Sequence, residues 1–278
     1  NVNSDTQNSK DFKEDENFYL SGLFQYNSSL PLIKDNDNFQ NILKPKLALK
    51  ISPNNTKDMR TKETKIDVTN IYNLERLSRN DTIEGGISLS YGNDFTIFDK
   101  KNSRDYFSLE IANNLRFEEN DDLSQSNQLG AKTSNLFGEI TYNPNDFINM
   151  KYSNSTKNNI KDTVYENFIA ELSLNNFVTS FDYLNENNTL NKNSYLLNTT
   201  KYALNNYNNI VFSTRENKTK DLTEYYNLMY QYKNDCLAAS IEYNKNYYDD
   251  RDIKPEENIF LKLTIIPFGQ ANTPNLKN

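Results

Sequence analysis

The 278 residues carry a net charge of −7 and a pI near 4.9 with no basic stripe, which excludes a nucleic-acid partner. Only 36% are hydrophobic and the mean hydropathy is −0.86, where a water-soluble sandwich of this length calls for roughly 45–50%. The 19 Tyr and 16 Phe exclude wholesale disorder, and the absence of histidine excludes Ser-His-Asp and Cys-His catalysis and imidazole acid–base chemistry.

Asn1 to Glu16 are polar, without a start Met or a signal peptide, so the chain reads as the C-terminal part of a longer protein. From there the pattern has a period of two. Leu47, Leu49 and Ile51 alternate with Lys46, Ala48 and Lys50, and Ile87, Leu89 and Tyr91 with Ser88, Ser90 and Gly92. Further on, Tyr226, Leu228, Tyr230 and Tyr232 alternate with Asn227, Met229, Gln231 and Lys233. Such alternation gives a strand one apolar and one polar face. Segments of this kind fall near 18–28, 39–52, 62–70, 83–98, 104–118, 131–142, 146–154, 163–174, 176–185, 194–204, 208–216, 222–234, 236–247 and 257–267, about fourteen strands. Short Asn-rich turns (Asn143-Pro144-Asn145, Asn175-Asn176, Asn205-Asn206, Asn234-Asp235) contrast with longer polar loops such as Glu119 to Gly130. No apolar run reaches the roughly 18–20 residues of a membrane-spanning helix. The reading is all-β: an antiparallel transmembrane β-barrel, with lipid outside and water inside. Residues 1–16 are expected to be a polar, disordered or loop segment, 17–269 the barrel strands and 270–278 a tail. In phase, Leu228, Tyr230, Ile241, Tyr243, Leu261 and Leu263 should share the lipid face, and Lys233, Glu242 and Lys262 the lumen. Much of the Asn, Lys and Ile usage is what an AT-rich genome would supply.

Chemistry-bearing groups are few. The acidic clusters Glu118 to Asp122 and Asp249 to Asp252 match no calcium-loop spacing and read as solvated loop tips, so no metal, cofactor or catalytic site is expected. Gly85-Gly86 reads as a bend or bulge beside a strand. The lone Cys236 fits a small buried hydrophobe, or half of a disulfide whose partner lies elsewhere.

Three stretches, in order, go beyond barrel grammar. Leu43 to Pro53 contains Leu43-Lys44-Pro45-Lys46; Asn70 to Gly86 contains Asn70-Ile71-Tyr72-Asn73-Leu74-Glu75-Arg76-Leu77-Ser78-Arg79-Asn80-Asp81-Thr82-Ile83-Glu84, followed by Ser90-Tyr91-Gly92. The end of the chain has Asp235-Cys236, an alternating strand, Tyr247-Tyr248-Asp249-Asp250-Arg251-Asp252-Ile253-Lys254-Pro255, and a last strand closing at Phe268-Gly269. Together these resemble the LptD, or organic solvent tolerance protein, family. Its signature would then lie at Pro45, Asn70, Leu74, Arg76, Ser78, Asp81, Glu84, Gly92, Arg251, Asp252 and Pro255. Arg79 stands where that family often has Gly, Thr82 where it often has Arg, and one cysteine replaces the adjacent pair of some members.

The resemblance implies a cell outer-membrane protein, about the C-terminal half of a large barrel, that inserts lipopolysaccharide into the outer leaflet through its lumen and a lateral gate. The same resemblance implies a transport component without catalysis. The strand with Ile259, Leu261, Leu263, Ile265 and Pro267 would be one lip of that gate. Implied partners are lipopolysaccharide, outer-membrane lipids, an LptE-like plug lipoprotein, and an LptA-like periplasmic bridge through the absent N-terminal domain. Cys236 would be disulfide-bonded to that domain from the periplasmic end of its strand. A general porin or substrate-specific channel shares the alternation but not the three stretches. A Ser-His phospholipase fails for want of histidine, while carboxylate-based proteolysis stays open on composition.

Overall fold

A computed structural model describes residues 22–53, 56–77, 79, 82–188, 190, 192–247, 254–266, 269–272 and 276–277. Its strands are β1 (Phe24–Ser29), β2 (Leu32–Asp35), β3 (Phe39–Ser52), β4 (Gly86–Asp99), β5 (Arg104–Arg116), β6 (Leu136–Asn145), β7 (Ile148–Thr156) and β8 (Thr163–Leu174). They continue as β9 (Phe177–Asn187), β10 (Lys192–Ala203), β11 (Asn208–Asn217), β12 (Leu222–Lys233), β13 (Leu237–Asn246), β14 (Glu256–Ile265), β15 (Gly269–Asn272) and β16 (Leu276–Lys277). There is no helix among the described residues.

All strands join one antiparallel sheet in which β3 to β14 pair strictly with their sequence neighbours. The edges carry short strands, and the edge on β3 is broken at residues 30–31. β1 and β2 divide one side of β3 between them, and β15 and β16 divide the far side of β14. The sheet is thus fourteen positions wide, the number the alternation suggests, and its two edges do not pair with each other among the described residues.

Directly opposed residues share a face, so the register sorts the side chains. Leu47, Leu49 and Ile51 lie opposite Tyr91, Leu89 and Ile87. Far along the sheet Leu228 meets Tyr243, which meets Ile259, and Tyr230 meets Ile241, which meets Leu261. These rings and aliphatics are largely exposed: Leu228, Tyr230, Ile241 and Leu261 stand at 47%, 42%, 51% and 48%. The opposite face takes Lys50, Ser88 and Arg116 in one row, and Glu242 beside Phe260 and Ser240 beside Lys262 in others. An apolar face turned outward and a polar face turned inward is the reverse of a water-soluble sheet.

Asparagine closes the hairpins. The side-chain oxygens of Asn145, Asn205, Asn217 and Asn234 each accept two backbone N–H groups of the turn that follows, at 2.7–3.1 Å. Asn175 adopts a left-handed conformation at φ 46°. At these positions asparagine has a structural role, whatever base composition contributes elsewhere.

Several boundaries differ from the sequence expectation. Leu32–Asp35 is a strand although Lys34 opens a polar run. The turn expected at Asn143-Pro144-Asn145 lies two residues later, because Pro144 sits in an irregularity of the β6–β7 ladder where no N–H is needed. Residues 131–135 belong to a loop, with one bridge between Leu115 and Thr133. The segment 62–70 is not a strand at all. Asp67 accepts hydrogen bonds from the N–H groups of Thr69 and Asn70, each at 2.9 Å, and that local turn competes successfully with a ladder. Strand β15 runs from Gly269 to Asn272, into the span from 270 onward expected to be a tail.

The even-numbered ends of the hairpins are tight. The opposite ends carry the longer connections, above all 53–85 between β3 and β4 and 117–135 between β5 and β6. These two segments fold over the inner face of β3–β6. There Met59, Ile66, Val68, Ile71 and Leu77 from the first meet Leu123 and Leu129 from the second and Ala112 and Phe137 from the wall. This is the one apolar core cluster found among the described residues, and it lies inside the curve of the sheet.

Candidate functional site: the inner wall and its docked loop

The docked loop is held by a charge buried against the wall. Arg76 is 1% exposed and Glu84 3%. Arg76 Nε donates to Glu84 Oε2 at 2.6 Å and Nη2 to Oε1 at 2.5 Å, a bidentate pair. The same carboxylate takes Arg116 Nη1 of β5 at 2.8 Å and Lys50 Nζ of β3 at 3.3 Å. One carboxylate therefore serves three cations, and the spare donors need acceptors, since a buried unpaired charge is costly. Carbonyls supply them. Lys50 Nζ donates to the oxygens of Asn73 and Leu74 at 3.0 Å each, Arg116 to Gly85 and Glu118, and Arg76 Nη1 to Ile71 at 2.9 Å. Arg76 further reaches Ser90, Ser88 and Asn114 on the wall at 2.7, 3.1 and 3.0 Å.

These partners fall together because of register. Lys50, Ser88 and Arg116 form one row, and Ala48, Ser90 and Asn114 the next, so the guanidinium sits over a polar patch that three strands build jointly. Burial opposes ionisation of Glu84, but Arg76, by charge and hydrogen bond, with Lys50 and Arg116 behind it, holds the carboxyl far below the usual carboxylate range. Gly86, at φ +90°, lets the chain turn from Glu84 into β4, and a side chain there would meet the Arg116 guanidinium.

Tyr72 makes the second contact. Its ring lies under Lys46 Nζ, 5.4 Å from the centroid, and its hydroxyl is buried over Gly92, where a methyl group would overlap it. Burial, with Asp94 and Glu110 nearby, pushes the phenol well above its ordinary value. Gln25 of β1 donates to the Tyr72 carbonyl at 2.6 Å. Beyond the docked loop the inner wall is a mosaic of ion pairs and polar side chains. Lys46 pairs with Asp94, Lys151 with Glu139 at 2.7 Å, and Arg215 with Glu224 at 2.8 Å while stacking 4.2 Å over Tyr195.

The sequence signature is thus only partly one place. Arg76, Glu84 and Gly92 converge on the wall patch. Asn70 works within the loop, accepting from Asp67 N–H and donating to the Lys65 carbonyl, both at 2.9 Å. Leu74 is 47% exposed, its carbonyl rather than its side chain holding Lys50. Pro45 lies in β3 and accepts from Leu30 N–H at 3.2 Å, away from the cluster. Pro255 immediately precedes β14, whose Ile259, Leu261, Leu263 and Ile265 lie on the outward face. Ser78, Asp81, Arg251, Asp252 and Pro267 lie outside the described residues. Cys236 is a free, exposed thiol in the tight β12–β13 turn, on the end of the sheet opposite the docked loop. No group of metal ligands occurs among the described residues. Sequence reading passed over Lys50, Arg116 and Asn114. Their signal was a pair of like charges at inward positions of two strands flanking β4, which demands a buried counter-charge from elsewhere.

The family described as "LptD: LPS transport system D" matches residues 1–217, including the docked loop and every strand that holds it. The chain belongs to the LptD family. The third resembling stretch, from Asp235 onward, lies beyond that match. No curated protein matches the chain. Among solved structures, a triple mutant of the porin from Rhodopseudomonas blastica is similar at 7% identity and a TM-score of 0.38, covering 91% of this chain and 88% of that one. At family level, then, this LptD chain is a component of lipopolysaccharide transport with an all-β, barrel-type fold.

Proposed function

We propose that the chain is part of the outer-membrane translocon barrel that passes lipopolysaccharide into the outer leaflet, its glycan through the lumen and its acyl chains through a lateral opening. The observation that carries this is the two-faced sheet. Its inner wall is ionic and polar, its outer wall apolar, and the edge on β3 is broken between β1 and β2, so ladder pairing there is discontinuous. An amphiphile needs those two environments joined by a seam where backbone bonds can part at low cost. Family membership supports the cargo.

In this reading the tight-turn end faces the periplasm and the docked 53–85 loop closes the outer mouth. The barrel portion begins after a polar lead at 1–16 and takes in the β15 and β16 strands that pair with β14. The signature residues Arg76, Glu84 and Gly92 seat the loop, and the β14 strand, with β15 and β16 paired along its far side, forms one lip of the gate. Cys236, at the periplasmic end, pairs with a cysteine of the N-terminal region, where an LptA-like bridge delivers cargo; an LptE-like lipoprotein occupies the lumen. The test is a cysteine at Ala271, the β15 residue opposite Leu263, with another on the facing first strand of the intact barrel. Oxidation should stop surface delivery of lipopolysaccharide and reduction should restore it. Normal export through the locked protein would leave an ordinary pore as the better reading.

A further inference from the structure

On the inner side at the long-loop end, a cavity of about 720 Å³ opens between the 117–135 loop and the β7–β8 and β9–β10 connections. Its lining includes Lys157, Lys161, Lys192, Asp162, Ser126 and Asn188. Only Lys157 has a counter-ion there, Asp162 at 3.9 Å, and that carboxylate is already held by Asn159 Nδ2 at 2.8 Å. Among the described residues Lys161 and Lys192 form no ion pair, so the cavity is net positive in a chain whose net charge is −7. The adjoining cleft carries the balancing carboxylates, Glu63 and Glu186, beside Lys65. Hydroxyl and amide groups next to unpaired ammonium groups suit a ligand that is itself part polyol and part anion, and the volume accommodates a short saccharide. A compact pocket rather than a stripe argues against an extended polyanion.

We propose that this cavity is a saccharide subsite selective for phosphate- or carboxylate-bearing sugars, holding an anionic sugar of the glycan as it clears the lumen. This deepens the translocon reading and rests on it for the source of the glycan. The two charges would act as a weak station on the exit route, since a tight site would retain the cargo.

The full protein, purified in a neutral detergent, is titrated calorimetrically with glucose 6-phosphate, glucose and inorganic phosphate. Glucose 6-phosphate should bind about tenfold more tightly than either of the others, the scale of one charge-assisted contact added to the hydroxyl contacts. The double variant Lys161→Gln/Lys192→Gln should lose that preference, while Lys101→Gln, at the tight-turn end, should keep it. Equal binding of sugar and sugar phosphate, equal binding of inorganic phosphate and sugar phosphate, or an unchanged preference in the double variant would each overturn the subsite. Surface delivery of lipopolysaccharide by the unaltered protein is scored in parallel. Its absence overturns the translocon reading whatever the titration gives, and normal delivery without a sugar-phosphate preference overturns the subsite alone.

Discussion

Removing either partner of the buried pair should undock the loop without unfolding the sheet, and the two removals should differ in a set order. Arg76→Met keeps the stem of the side chain and deletes the guanidinium. Glu84 then still faces Lys50 and Arg116, so no carboxylate is stranded. What is lost is the bidentate contact and the donors to Ile71, Ser88, Ser90 and Asn114. That places the cost at the low end for a buried pair, about 3 kcal/mol, or roughly a hundredfold in the open population of the loop. Glu84→Gln strands three cations, Arg76, Arg116 and Lys50, around a neutral amide, and the cost rises to about 5 kcal/mol, more than a thousandfold. Burial of Met59, Ile66, Val68, Ile71 and Leu77 contributes about 1.5–3 kcal/mol each. The ladders of β3–β6 do not depend on the pair, so opening should stay local. Amide hydrogen exchange over residues 66–77 in detergent-solubilised protein reads the open population. The expected result is faster exchange there, Glu84→Gln exceeding Arg76→Met, with β4 and β5 amides protected as before. Exchange within threefold of the unaltered protein, the reverse order, or loss of protection in the strands as well would refute the buried pair as the anchor.

Acid should have the same local effect. The folded pKa of Glu84 is depressed below its ordinary 4.5, so its stabilisation is complete above about pH 4.5 and is lost as pH falls further; protease nicking within 56–85 should increase from pH 5 to pH 3, and Glu84→Gln should flatten that dependence. Gly92→Ala should displace the loop or shift β4, because the added methyl overlaps the Ile111 carbonyl on one side and the Tyr72 hydroxyl on the other; pairing it with Tyr72→Phe should relieve only the second, visible as partial recovery of exchange protection. Leu261→Arg should cost about 2–4 kcal/mol in refolding into lipid vesicles if it lies near the midplane, whereas Lys262→Ala, facing inward opposite Ser240, should change the refolding yield little. Cys236→Ser should abolish any mobility shift of the full protein on non-reducing gels, and a shift that survives would place the disulfide elsewhere.

The strands of this protein and their two faces were more legible than turn positions such as that after Asn145, because a period of two says which side chains share a face. Leu261 and Lys262 needed no more than that. Ile66 and Val68 show where the rule fails: they also alternate, but with Asp67 turning the chain between them and Met59 and Leu77 nearby, burial in a loop core outweighs a ladder. A local pattern cannot separate these outcomes, since the deciding contacts come from Leu123 and Leu129, far along the chain. Likewise Arg76 and Glu84 stand out as motif residues, yet their role depends on Lys50 and Arg116, which only strand register brings alongside.

The placement of buried residues gives the sheet unequal mechanical properties. Along β3–β6 it is two layers thick, strand wall plus docked loop, with close-packed apolar contacts and a charge lock between the layers. From β9 to β14 it is a single ply, in which Thr179, Asn217 and Ser240 are the only buried side chains found among the described residues. A packed double layer resists bending because any change of curvature must shear interdigitated side chains, whereas a single ply bends by small adjustments of strand twist. Lateral pressure from the surrounding lipid would therefore deform this wall unevenly. The first third would behave as a stiff spar, and in the proposed translocon any curvature change that passes the cargo would be taken up towards β14.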